Sequence, residues 1–313
     1  MSSFTRRALL KSAAAAVPLA TWTNTLRAMD DGRVAPPVQA AGVKRAVLIN
    51  MLPKALSWHD RFALAKGVGF DGIEMQTIED QADAEAIAKA SSDTGLVIHS
   101  VMNSAHWEFP LSSADPEVVR KSVAGMKTSL MNAALWKAGI VLLVPAVVNP
   151  ETPYADAWER SHRVIREQIV PVAEGLKVQV GIEEVWNKFL LSPLEFNQYV
   201  DQFKSPWVKA YFDVGNIVFY GYPQDWIRTL GLRITRLHLK DFKLDRRAGK
   251  FDWTNLGEGD IDWQEVRKAM AAAPNVTWVT TEISGGDRQY LTDVLRRVDR
   301  FLGGFKPVDA SAA

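Results

Sequence analysis

KAYFDVGNIVFYGYPQDWIRTLGLRITRLHL, residues 209–239, carries the argument for the fold in one unit. A short apolar run, 209–213, ends in Asp213. An amphipathic segment near 223–232 follows, and then a second apolar run, 235–239. Strand, crossover helix and strand make the unit of a parallel sheet. The pattern repeats in both directions. Further candidate strands lie at 46–50, 72–76, 97–102, 140–144, 178–183 and 277–283. Helical patterns fall near 58–68, 82–94, 115–138, 156–176, 192–203, 261–273 and 287–302. Asp115-Pro116-Glu117 and Ser192-Pro193-Leu194-Glu195 are helix starts with proline at the first helical position. Eight such units in about 260 residues predict an α/β fold, a single-domain (β/α)8 TIM barrel over residues 45–303. A doubly wound open sheet would show a Gly-rich phosphate turn after an early strand, and Met51-Leu52-Pro53-Lys54 is not one. The longest loop, 240–260, reads as functional or mobile.

Outside the barrel, the N-terminus reads Thr5-Arg6-Arg7-Ala8-Leu9-Leu10-Lys11 and continues into the apolar run 12–22. A positive start, a short Ala-rich stretch and small residues downstream predict a twin-arginine export signal with its linker over 1–40. The protein is therefore expected in the periplasm or secreted. Cleavage after Ala28 would remove Arg6, Arg7, Lys11 and Arg27 and no acids, taking the formal charge from +1 to −3. The apolar run falls short of the about 20 residues a membrane-spanning helix needs, so no stable membrane insertion of the mature chain is expected. Residues 304–313 read as a flexible C-terminal tail. Across the 313 residues, 37 Lys and Arg balance 36 Asp and Glu, which argues against nucleic acid or an anionic membrane as partner. The absence of cysteine excludes disulfides, thiolate metal sites and cysteine nucleophiles.

Chemistry in a barrel of this kind sits where the strands end. The polar residues there are Asn50, Glu74, His99, Glu183, Asp213, His238 and Glu282. Strands five to eight thus end in Glu, Asp, His and Glu. Three carboxylates and one imidazole around one rim form a hard, oxygen-rich site for one divalent ion, with Mn2+ first and Mg2+ or Co2+ behind it. Side-chain alternation supports the set: Val178, Val180 and Ile182 turn to the helices, leaving Gln179, Gly181 and Glu183 inside, and the same parity selects Glu183 over Glu184. Glu74 and His99, with inward parity on strands two and three, are expected to line the same mouth as substrate contacts. The competing reading makes them a buried, hydrogen-bonded brace. His106 and Trp107 lie in a loop whose aromatic rings suit packing on the C–H surface of a ligand. Lys240, with Lys243, Arg246, Arg247 and Lys250, is a candidate receiver for a phosphate or carboxylate.

At these residues the sequence resembles the xylose-isomerase-like TIM barrel superfamily, specifically its sugar phosphate isomerase/epimerase group. The likeness is to ketose 3-epimerases and hexulose-phosphate isomerases. It is carried by residues 181–189 (GIEEVWNKF), 212–216 (FDVGN), 238–242 (HLKDF), 257–263 (GEGDIDW) and 281–283 (TEI), and by 104–111 (SAHWEFPL). The resemblance implies a metal-dependent isomerase in which Glu183, Asp213, His238 and Glu282 hold one ion and Glu183 and Glu282 double as the acid/base pair. It also implies substrate contacts from Asn187 and from Asn216, which stands where several members carry a histidine. The implied reaction removes a proton next to a sugar carbonyl through an enediolate steadied by the ion. Export favours an unphosphorylated sugar or sugar derivative as partner, and the reading leaves room for a homo-oligomer. An alternative keeps the ion and makes the protein a lyase or hydratase of oxidised (3-keto) glycosides. A three-zinc DNA-repair nuclease on the same barrel would need more histidines than the five present, His59, His99, His106, His162 and His238.

Overall fold

The computed structural model describes residues 42–303, so the expected export signal with its linker and the C-terminal tail lie outside the described residues. Ten strands and ten helices follow in chain order. They run β1 (Lys44–Leu48), α1 (Trp58–Val68), β2 (Gly72–Gln76), α2 (Gln81–Thr94), β3 (Val97–Met102), α3 (Pro116–Trp136), β4 (Ile140–Leu143), α4 (Tyr154–Val164) and α5 (Val170–Leu176). Then come β5 (Gln179–Ile182), α6 (Pro193–Asp201), β6 (Val208–Asp213), α7 (Val214–Ile217), α8 (Pro223–Leu230) and β7 (Ile234–Leu239). The chain closes with β8 (Asp241–Asp245), β9 (Lys250–Thr254), α9 (Trp263–Ala269), β10 (Trp278–Thr281) and α10 (Arg288–Leu302).

Eight strands close a parallel barrel in the order β1-β10-β7-β6-β5-β4-β3-β2, so each barrel strand pairs with its neighbours in sequence. This is the expected (β/α)8 architecture. The apolar residues sort as parity requires. Val180, Ile182, Ala210, Phe212, Leu237, Leu239 and Val279 join the core between barrel and helices. Ile140, Leu142 and Tyr211 form a separate cluster inside the barrel. Gly181 shares that interior: a Cβ there would sit 2.8 Å from Ile140 Cδ1 and 3.0 Å from Tyr211 Cβ, so glycine is what lets those two side chains fill the layer.

Two departures from expectation have physical causes. The single helix read over 156–176 is interrupted by a π-turn at Ile165–Ile169, just before Pro171, whose ring lacks an N–H and cannot continue an α ladder. The long loop 240–260 contains an antiparallel hairpin, β8 paired with β9 from Asp241↔Thr254 to Asp245↔Lys250. That hairpin follows β7 and rises over the end of the barrel where the carboxylates lie.

Candidate active site

Each of the four strand-end groups is fixed by backbone before its side chain does anything. Glu183 N donates to Leu143 O at 3.0 Å and Glu282 N to Leu239 O at 3.1 Å, so the sheet ladder continues one residue beyond β5 and β10 and pins both carboxylates. Asp213 caps the one-turn α7: its Oδ1 accepts from Gly215 N (2.8 Å) and Asn216 N (2.9 Å). That arrangement leaves Oδ2 aimed into the barrel. His238, fully buried on β7, is held from beneath by Glu74, whose Oε1 lies 2.7 Å from Nε2. Glu74 Oε2 in turn accepts from Ser100 Oγ and Tyr211 OH. With Nε2–H donating to Glu74, the Nδ1 of His238 faces Glu282 Oε2 (2.9 Å), Glu183 Oε1 (3.2 Å) and Asp213 Oδ2 (3.7 Å).

One donor atom from each of Glu183, Asp213, His238 and Glu282 lies within 4.8 Å of the others, the first three buried and Glu282 partly open. Lys240 Nζ stands 2.9 Å from Glu282 Oε2 and 3.1 Å from Asp213 Oδ2. These are ion-pair contacts without hydrogen-bond alignment, so Asp213 Oδ2 and Glu282 Oε2 are buried acceptors that receive no hydrogen bond. Orphaned carboxylate oxygens beside an imidazole nitrogen fit a hard divalent cation. The residues present could therefore hold one.

The electrostatics show what such crowding does. Burial pushes the Glu183 carboxyl up to about 7, against the pull of His238. Burial raises Asp213 as well, with Lys240 opposing it. At Glu282 burial also pushes upward, but Lys240 and His238 outweigh it and hold the carboxyl well below its usual range. Burial works against charge on His238, yet Glu74 and its other anionic neighbours keep that imidazole well above its ordinary value. Without a metal ion the histidine and lysine are the cations that hold the carboxylates together.

Of the remaining expected contacts, several are brought elsewhere. Glu74 and His99 do not line the mouth. Both are buried in the barrel interior, each hydrogen-bonded to Ser100, and His99 also meets Thr280 Oγ1 at 2.8 Å and stacks on Trp278 at 4.6 Å. They are the brace of the competing reading, because a group midway along a tilted strand sits below the rim. Asn187 Nδ2 donates to Ala146 O (2.5 Å) and its Oδ1 accepts from Phe189 N (3.1 Å), so its amide ties the loop after β5. Asn216 donates Nδ2 to Glu184 O at 3.1 Å and is buried. His106 is buried beside Trp107, and burial lowers its imidazole to about 4, which keeps it neutral.

Sequence reasoning missed four side chains. Tyr211 and Ser100 complete the support under His238. Glu184 is buried with neither oxygen hydrogen-bonded, and burial, reinforced by Asp213 and Glu183, pushes its carboxyl well above the ordinary range. Trp253 on β9 overlooks the site, its ring 5.3 Å from Lys240 Nζ. The motif at 238–242 and the Gly-Glu-Gly-Asp at 257–260 prove to be one bracket. Asp241 accepts from Gly257 N (2.7 Å) and Trp263 Nε1 (3.0 Å), and a Cβ on Gly259 would lie 2.1 Å from Asp241 Oδ1.

The chain belongs to the family described as Xylose isomerase-like TIM barrel, whose model matches residues 62–298. Among its relatives is the L-ribulose-5-phosphate 3-epimerase UlaE of Escherichia coli O1:K1 / APEC. It is 26% identical over 227 residues, which is 68% of this chain and 77% of that protein. The solved structure of a D-tagatose 3-epimerase-like protein superposes with a TM-score of 0.71 at 16% identity, covering 83% of this chain and 97% of that one. That of the 3-keto-D-glucoside 4-epimerase YcjR from E. coli, apo form, gives 0.66 at 13%, covering 84% and 100%. At these identities the structures show the shared fold.

Proposed function

We propose that this protein is a divalent-metal-dependent isomerase that epimerises or isomerises a sugar by moving a proton on carbon next to a carbonyl. The observation that carries this reading is the convergence of Glu183, Asp213, His238 and Glu282 within 4.8 Å at the open end of the barrel. The naming of the relative UlaE as a 3-epimerase supports it. A bound cation, Mn2+ by the preferences of three oxygens and one nitrogen, supplies Lewis-acid stabilisation of the negative charge that forms on the sugar oxygens. Glu183, Asp213 and Glu282 would hold it through carboxylate oxygens and His238 through Nδ1.

Glu183 and Glu282 reach the site from the ends of β5 and β10, with the two barrel strands β6 and β7 between them. Placed on two sides of a sugar carbon, one takes a proton and the other returns one. Return to the same carbon from the other side inverts it; return to the neighbouring carbon exchanges aldose for ketose. Lys240 keeps Glu282 anionic, the state a base requires. The paired Arg6-Arg7 and the apolar run after them support export as the setting of this chemistry.

Incubating ketoses, aldoses and oxidised glycosides with the protein in D2O and Mn2+ tests the reading, because exchange reports proton removal whatever follows. Deuterium on the carbon beside the carbonyl together with an epimer or isomer is expected. Deuterium together with an eliminated product would make the protein a lyase, and no exchange from any sugar would end the proposal.

Glu74 gives a second test. Its carboxylate orients His238 and takes two further hydrogen bonds, so in Glu74→Gln the amide N–H would confront a hydroxyl donor. Loss of such an outer partner typically costs about 10–100-fold in metal affinity. Calorimetric titration with Mn2+ should show that loss; unchanged affinity would mean that Glu74 does not position His238.

A further inference from the structure

The cavity above Glu282 has a volume of about 830 Å3 and is bounded by Lys240, Trp253, Asn255, Glu258, Glu282 and Tyr290 among others. Pockets of about 300–1,000 Å3 enclose ligands of drug size, more than one sugar ring. Its charge is wrong for a phosphate. Among the described residues Lys240 is the one basic side chain on its wall, and that ammonium is already within 3.1 Å of both Asp213 and Glu282. An anion drawn to it would displace one carboxylate and sit beside the other. Glu258 adds another negative group on the wall. Its neighbour Arg297 is engaged by Glu258 (2.9 Å) and Asp293 (2.7 Å).

The helix N-terminus beyond the last barrel strand is already partly filled. Phosphate sites in such barrels use the loops after strands seven and eight and a helix N-terminus there. The N-terminus of α10 is capped by the chain's own carboxylate: Asp287 Oδ1 accepts from Tyr290 N at 2.9 Å. Lys243, Arg246, Arg247 and Lys250 of the hairpin are exposed, and none of them bounds the cavity.

What the wall offers instead is an aromatic surface. Trp253 is clamped by Trp186 (5.1 Å, 22° between planes) and Phe242 (4.9 Å), yet remains 49% exposed. A rigid, half-exposed indole beside hydrogen-bonding groups packs against the C–H face of a sugar or an aryl group. The Lys240 ammonium links the two, 5.3 Å from the indole centroid and 2.9 Å from Glu282 Oε2.

We infer that the substrate is a neutral glycoside carrying a carbonyl on one ring. That ring reaches Glu183 and Glu282, and its glycosidic substituent lies against Trp253. Sugar phosphates are disfavoured. The inference rests on the proposed proton transfer and adds the substrate class.

The test compares an aryl 3-oxo-glucoside, a free ketohexose and the 6-phosphate of that ketohexose by rates of exchange in D2O, using the full chain loaded with Mn2+. The aryl glycoside should exceed the phosphate ester by at least a hundredfold in kcat/KM. Trp253→Ala should cut the preference for the glycoside over the free ketohexose at least tenfold, and Trp253→Phe should restore most of it. A phosphate preferred over the free ketohexose by tenfold or more overturns the inference while leaving the proton-transfer reading intact. So does a glycoside preference that Trp253→Ala does not touch. Exchange from none of the three overturns the underlying reading and this inference with it.

Discussion

Glu282→Gln should lower turnover by about 10^2–10^4-fold, and Glu183→Gln by as much, because each removes a group that moves a proton in the transition state. Neither change is expected to unfold the barrel. Glu282 is held by a backbone hydrogen bond that its side chain does not make, and its carboxylate is the partly open one of the four. Glutamine keeps the shape and removes the negative charge, which eases the crowding against Asp213 and Glu183. The same crowding means that each variant binds a cation less tightly, so the rates are to be compared at saturating Mn2+. The two losses should differ in kind. A variant that retains one proton carrier can still exchange hydrogen from one epimer while failing to convert it. Measuring kcat for conversion alongside exchange from each epimer therefore separates an acid/base role from mere metal holding. Conversion at near wild-type rates in either variant would remove that residue from the acid/base pair.

Much of this site was legible because barrel strands impose a strict alternation. Parity alone separated Glu183 from Glu184, and the structure puts Glu183 in the cluster while Glu184 is left without a hydrogen bond outside it. What parity does not give is depth. Glu74 is the third residue of a five-residue strand, and barrel tilt carries it beneath His238 instead of beside it. Asn187 could not be placed from sequence, since its role depends on where Ala146 O and Phe189 N come to rest. The hairpin did leave a trace. Phe242 and Leu244 alternate with polar residues, as do Phe251 and Trp253, and between the two runs Gly249 adopts a positive φ of 62°. That is a period-2 pattern about a turn, hidden by the charge of Lys243, Arg246, Arg247 and Lys250.

Chelation should lower the melting temperature, and the amount follows from linkage. When no metal ion lies among them, the three carboxylates that converge within 4.8 Å are held against their mutual repulsion by His238 and Lys240. A cation that binds only the folded chain stabilises it by about 2.7 kcal/mol at a hundred times Kd. For a domain of this size about 2–4 °C accompanies each kcal/mol, so stripping the protein with chelator should cost about 5–10 °C and Mn2+ should restore it. Lys240 refines the expectation. Its ammonium already neutralises part of the repulsion between Asp213 and Glu282, so it competes with any cation bound there. Lys240→Met should therefore melt lower than wild type when stripped and gain more from Mn2+. His238→Ala, which removes the single nitrogen donor, should gain less. The two variants thus move the metal-dependent shift in opposite directions, a pattern that a general salt effect would not produce. A chelator-treated protein that melts at one temperature with and without Mn2+, Mg2+ or Co2+, and takes up none of them in a calorimeter, would remove the metal from the mechanism.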